Sequence, residues 1–128
     1  MPSWSEYKKK ARERGDLALE QYVVNSVPAE AADKVAATLP DHLAYQARME
    51  TEGKLAFAGP VSDASGEQME GEGLIIYRAG SLEEARGFAD GDPMHATGAR
   101  SYTIRRWLIN EGSLTLEVGL SGGRAKLR

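Results

Sequence analysis

Cysteine is absent from the 128 residues. That excludes a disulfide framework, a thiolate nucleophile and every cysteine-based zinc or iron–sulfur site. It fits a reducing compartment, and the chain reads as soluble and cytoplasmic. No apolar run approaches the roughly 18 residues of a membrane span, and Met1 to Glu20 lack the apolar core of a signal peptide. Neither sign of charge dominates: 16 basic against 19 acidic residues leave a net charge of −3, with no global attraction for nucleic acid. The basic run Lys8-Lys9-Lys10-Ala11-Arg12-Glu13-Arg14 carries no interleaved aromatics and reads as a solvated helix face. A chain this long forms one domain whose core needs no metal or covalent staple.

Histidine is scarce, and both copies fall in short stretches of distinct character. One is Asp41-His42-Leu43-Ala44-Tyr45, with Gly59-Pro60 downstream. The other is Gly91-Asp92-Pro93-Met94-His95. Around them the elements can be read in order. Ser3-x-x-Glu6 has capping-box spacing, so a short helix runs from about Trp4 to Arg14 and Gly15 ends it. Leu17 to Val27 reads as a strand stopped by Pro28. Ala29 to Thr38 is helix-prone. Pro40 is expected to interrupt it, so that a second helical piece starts there and runs to Glu52. Lys54 to Ala58 reads as a strand, Val61 to Glu72 as a polar loop, and Gly73 to Ala79 as a central strand. Ser81-Leu82-Glu83-Glu84 opens another helix, Asp92-Pro93 opens a single turn ended by Gly98, and Ser101 to Ile109 is a strand. Leu114, Leu116, Val118 and Leu120 share one face of a fifth strand, and Gly122-Gly123 with the tail is expected to fray.

The core order β-α-β-β-α-β is that of the ferredoxin-like fold. Right-handed crossovers then put the first and third strands at the centre of an antiparallel sheet, with both helices on one face. The other face holds apolar side chains, which predicts a homodimer closed sheet to sheet. The domain plan is 1–16 as a helical appendage, 17–112 as the ferredoxin-like domain, and 113–128 as an extra strand and tail.

This topology gathers His42, Gly59-Pro60 and Asp92 to His95 at one end of the sheet, provided that the first helix starts near Pro40. A neutral imidazole can take or give a proton near pH 7, and a carboxylate on its other nitrogen fixes the tautomer. His42 and Asp92 are the candidate catalytic pair. Gly59, Pro60, His95 and Tyr45 are the candidate pocket residues, with Gly59 allowing close approach to the backbone. Each has a plainer reading: His42 as a packed side chain, Asp92 as a helix cap, His95 as an interface or solvent-facing group. Two histidines and an aspartate could ligate a metal, but the usual helical His-x₃-His spacing is missing and no metal is expected. Arg78 and Arg105 could attract an anionic ligand, though sheet-edge or interface charges suit them better.

His42-Leu43 upstream of Gly53-x-Leu55, then Ala58-Gly59-Pro60, Ser81-Leu82-Glu83-Glu84-Ala85, Asp92-Pro93 and Gly98 resemble the YCII-related (YciI-like) family. The string Asp92-Pro93-Met94-His95-Ala96-x-Gly98-Ala99-Arg100, with Trp107 to Gly112, looks like one bacterial branch of it. The resemblance implies a subunit of a dimeric α/β barrel, similar to muconolactone isomerase and related small oxygenases. It also implies a His–Asp active-site pair at His42 and Asp92. One related group dehydrochlorinates hydroxyquinone-type aromatics. The expectation is therefore a cofactor-free small-molecule enzyme doing isomerase- or lyase-type acid–base chemistry on an unknown small molecule. The alternative is a non-catalytic ligand-binding or regulatory dimer of the same fold.

Overall fold

The Ser3-x-x-Glu6 spacing forms its capping box: Ser3 Oγ accepts from the Glu6 amide at 3.3 Å while Glu6 Oε2 accepts from the Ser3 amide at 3.1 Å. Helix α1 (Trp4–Glu13) follows. The computed structural model describes residues 1–128 and divides into two compact units. Met1–Leu19 and Leu108–Arg128 form the first; Glu20–Trp107 forms the second.

The second unit holds a four-stranded sheet of order β2-β3-β1-β4, built from β1 (Leu19–Pro28), β2 (Leu55–Ser62), β3 (Met69–Tyr77) and β4 (Arg100–Ile109). The first and third strands are central, as the ferredoxin-like reading requires. β3 runs antiparallel to both β1 and β2, with Tyr22 opposite Tyr77, Val24 opposite Ile75 and Ser26 opposite Gly73. Side chains alternate along a strand, so these six positions share one face, and Tyr22, Val24 and Ser26 are all buried there. Val24, Ile75 and Tyr77 join Met49 and Ala89 from the helices in the core, with Phe88, Tyr102 and Ile104 packed around them. Helices α3 (Leu82–Gly91) and α4 (Pro93–Ala96) lead into β4. Ser81 Oγ caps α3 through the Glu84 amide at 3.1 Å.

Three expectations are corrected. The segment after β1 is one 20-residue helix, α2 (Ala32–Thr51), that runs through Pro40. A proline removes only its own N–H from the helical ladder. Ala36, Ala37, Leu39, Leu43, Ala44 and Gln46 around it are strong helix formers, so the helix continues. Second, Val61 to Glu72 is loop only from Asp63 to Gln68; its two ends belong to β2 and β3. Backbone pairing extends a hairpin whatever its side chains, and Asp63 Oδ1 closes the turn by accepting from the Ser65 hydroxyl at 2.6 Å and the Gly66 amide at 3.1 Å.

The third correction lies in the first unit. The tail does not fray but forms a separate hairpin of β5 (Leu116–Gly119) and β6 (Arg124–Leu127), with Leu116 opposite Leu127. Gly123 supplies the left-handed turn conformation at φ +62° that a side chain would disfavour. Every residue of both strands is exposed.

Candidate active site

Helix α2 supplies one wall of a cavity of about 460 Å³. Val35, Leu39, His42, Leu43 and Gln46 line it, a spacing of three and four residues that keeps all five on one helical stripe. The β2–β3 hairpin supplies the facing wall, Gly59, Pro60, Met69 and Glu72 among its residues, and Ser26, Met94 and Arg100 also line the cavity.

His42 and Asp92 meet. His42 Nδ1 lies 2.9 Å from Oδ1 and 2.8 Å from Oδ2 of Asp92. The meeting does not depend on where α2 starts, which was the condition placed on it. His42 stands midway along α2, and α4, which Asp92 caps, packs against α2. Asp92 also accepts from the Met94 amide at 3.0 Å and from Gln46 Nε2 at 3.0 Å. The cap and the histidine partner are thus the same carboxylate. Asp92 is fully buried, whereas the His42 side chain keeps 21% of its surface exposed.

These contacts fix charges and tautomers. Burial alone pushes the Asp92 carboxyl up, but the hydrogen bonds from His42, the Met94 amide and Gln46, with the nearby imidazole charge, outweigh it and hold its pKa below the usual carboxylate value. An ionised carboxylate accepts only, so Nδ1 of His42 carries a hydrogen, and in the neutral ring Nε2 holds the lone pair. Gln46 Nε2 donates to Asp92 and to Tyr77 Oη at 3.1 Å, which orients the amide and leaves its buried Oε1 without a partner.

Gly59 and Pro60 line the cavity as expected; Tyr45 and His95 do not. Tyr45 turns toward α3, where its hydroxyl donates to the Phe88 carbonyl at 2.6 Å. His95 is held beneath the sheet end: Nδ1 lies 2.7 Å from the Ala89 carbonyl and Nε2 2.8 Å from Ser26 Oγ. Its ring also sits against Tyr102, centroids 4.7 Å apart. Burial pushes its pKa down.

The family model of the YCII-related domain matches residues 6–108. The chain belongs to the YCII-related family. It is similar to the uncharacterized protein YjpA of Bacillus subtilis (strain 168), 34% identical over 70 residues that cover 55% of this chain and 75% of that protein. Among solved structures it is similar to 5-chloro-2-hydroxyhydroquinone dehydrochlorinase (TftG) from Burkholderia phenoliruptrix AC1100, in complex with 2,5-dihydroxybenzoquinone. That match has 20% identity and a TM-score of 0.48, and covers 68% of this chain and 92% of TftG.

Sequence reasoning missed four polar cavity residues of this YCII-related domain: Ser26, Gln46, Glu72 and Arg100. Gln46 follows His42 by four residues, the spacing that stacks two side chains on one helical face, and that signal was legible. Arg100 is the arginine at the cavity, not Arg78 or Arg105. Arg78 is exposed and donates to the Leu55 carbonyl at 3.0 Å. Arg105 stands on the opposite face of β4 from Arg100 by strand alternation. Arg100 shares its face with Tyr102 and Ile104, a period-two pattern that marks it as inward-pointing.

Proposed function

We propose that this YCII-related chain is a cofactor-free enzyme that moves a proton on a small molecule, in isomerase- or lyase-type chemistry, with His42 as general acid/base and Asp92 as its orienting partner. The observation that carries the reading is the pairing of a fully buried, ionised Asp92 with a partly exposed His42 that lines the cavity. With Nδ1–H on the carboxylate, Nε2 is free to accept a proton from carbon beside an electron-withdrawing group. Asp92 then stabilises the imidazolium, and the same nitrogen returns the proton to another carbon or to a leaving group. Gly59 and Pro60 border the substrate; Tyr45 and His95 support the site from behind. A 2.8 Å contact to Asp92 and an imidazole 21% exposed support this reading over a binding-only cavity.

The proton-transfer step is open to test without the natural substrate. Base-sensitive probes such as 5-nitrobenzisoxazole, and deuterium exchange into acetylacetone, report a positioned general base. The protein is expected to accelerate them, and His42→Ala to lose about 10²–10⁴-fold of that acceleration. Acceleration that survives both His42→Ala and Asp92→Asn removes the assignment.

We further propose a homodimer formed through the helix-free face of the sheet, in a cytoplasmic setting that suits a cysteine-free chain. Phe57, opposite Ile76, and Trp107 lie on that face and are 51% and 45% exposed. Residues 17–112 carry the site, while 1–16 and 113–128 extend the contact. A lone two-stranded hairpin is marginal in water, and β5–β6 exposes Leu116 and Val118. Sedimentation should report twice the 13.9 kDa chain mass; a monomer at micromolar concentration refutes the dimer.

A further inference from the structure

Arg100 opens β4 on the helix-side face and lines the cavity. Its guanidinium has five N–H groups. Nε donates to Ser26 Oγ at 2.9 Å, and Nη2 donates to the Ser26 carbonyl at 2.7 Å and to the Gly71 carbonyl. All three acceptors are neutral. The two N–H groups of Nη1 have no acceptor in the protein, and no carboxylate lies within ion-pair distance of Arg100. This partly buried cation feels the Asp92 charge only at a distance and has no carboxylate in contact.

The fixing contacts are themselves fixed. The Ala89 carbonyl can only accept, so His95 Nδ1 carries the hydrogen and Nε2 accepts. Ser26 Oγ then donates to His95 and turns its lone pairs toward Arg100 Nε. Both acids nearby are occupied by partners. Asp92 is engaged by His42, Gln46 and the Met94 amide. Glu72 accepts from Asn25 at 2.6 Å. Glu72 also lines the cavity, with its carboxylate held by the Asn25 amide.

We propose that Arg100 is the anion receptor of this cavity, which takes a small organic acid: one carboxylate docked on Nη1, and an apolar body against Leu39, Leu43 and Met94. Deepening the functional reading, it rests on the cavity being the substrate site and makes Ser26 and His95 positioning residues. Ser26 and Gly71 take the N–H groups of Nε and Nη2, so the carboxylate binds through Nη1 alone. The apolar walls limit competing water and favour a charge-assisted hydrogen bond over a neutral one. Gly59, on the facing wall, has open space where a side chain would stand.

The test compares benzoate with benzamide, of nearly equal shape, by titration calorimetry and amide chemical shifts on the full-length chain at pH 7.5. Benzoate should bind roughly tenfold to a hundredfold tighter, and inorganic phosphate, which lacks the apolar body, should compete poorly. Arg100→Met should erase the preference while leaving benzamide binding in place, and Ser26→Ala should weaken benzoate with Arg100 intact. His42→Ala should keep the preference, so loss of proton transfer and loss of acid recognition are separate results. The proposal falls if wild-type protein binds the two compounds equally, or neither at millimolar concentration. It also falls if phosphate matches benzoate, or if Arg100→Met retains the preference. The wild-type comparison decides even where a variant fails to fold.

Discussion

Replacing Asp92 by asparagine separates its two structural roles. Asparagine caps a helix as well as aspartate does, so the bond from the Met94 amide to Oδ1 survives. The other position becomes an NH₂ group. It faces Gln46 Nε2, 3.0 Å from the present Oδ2, and lies within 2.8 Å of His42 Nδ1. Two donors now oppose each other. Gln46 can relieve this only by turning its amide, which sends its own NH₂ into the place where Oε1 is now buried without a partner. An unsatisfied buried donor, together with the lost charge-assisted bond, costs about 1–3 kcal/mol, a fall of roughly 5–15 °C in Tm for a chain of this size. The freed imidazole takes its hydrogen on Nε2 and accepts at Nδ1 from the new amide. Thermal unfolding reads the first effect, and the ¹⁵N chemical shifts of the imidazole read the second. If Asp92 were only a cap, the variant would stay within about 0.5 kcal/mol of the parent. An unchanged Tm with Nδ1 still protonated refutes the reasoning.

Other outcomes follow from neighbouring contacts. Burial lowers the folded-state pKa of His95 from 6.5, so the stability gained by keeping it neutral is present above about pH 6.5 and lost as pH falls through the folded value. Denaturant unfolding against pH should show that loss, and His95→Gln should flatten it. A further loss below about pH 3.8, as the depressed Asp92 carboxyl protonates, should remain. A Cβ at Gly91 would stand 2.8 Å from Tyr45 Oη. Gly91→Ala should therefore displace the bond to Phe88 and cost about 1–2 kcal/mol, and adding Tyr45→Phe should recover part of it in urea unfolding. Pro40→Ala restores a missing helical N–H and should raise stability by about 1–3 kcal/mol, read by the same method; a lower Tm would show that the proline shapes the helix.

The strand order and the His–Asp pair were legible because they rest on long-range pattern: hydrophobic alternation, capping residues and crossover handedness. What failed was local. Pro40 reads as a stop when taken alone, yet the helix formers on both sides carried α2 across it. The polar stretch from Val61 reads as loop, yet an edge hairpin needs only backbone groups to extend. Tyr45 reads as a pocket residue from its place three positions after His42, but three residues along a helix are about 60° apart, enough to send its hydroxyl to α3. Ser26, His95 and Arg100 come from three separate elements, and no spacing within one segment announces them.

The arrangement along α2 has an evolutionary corollary. The imidazole and the residues that set the hollow's shape alternate on one rigid rod, with Val35, Leu39 and Leu43 contributing bulk alone. Exchanging those three for larger or smaller neighbours redraws the outline of an acceptable guest while His42 and its carboxylate stay put. A lineage built this way changes diet by swapping methyl groups and keeps its chemistry intact.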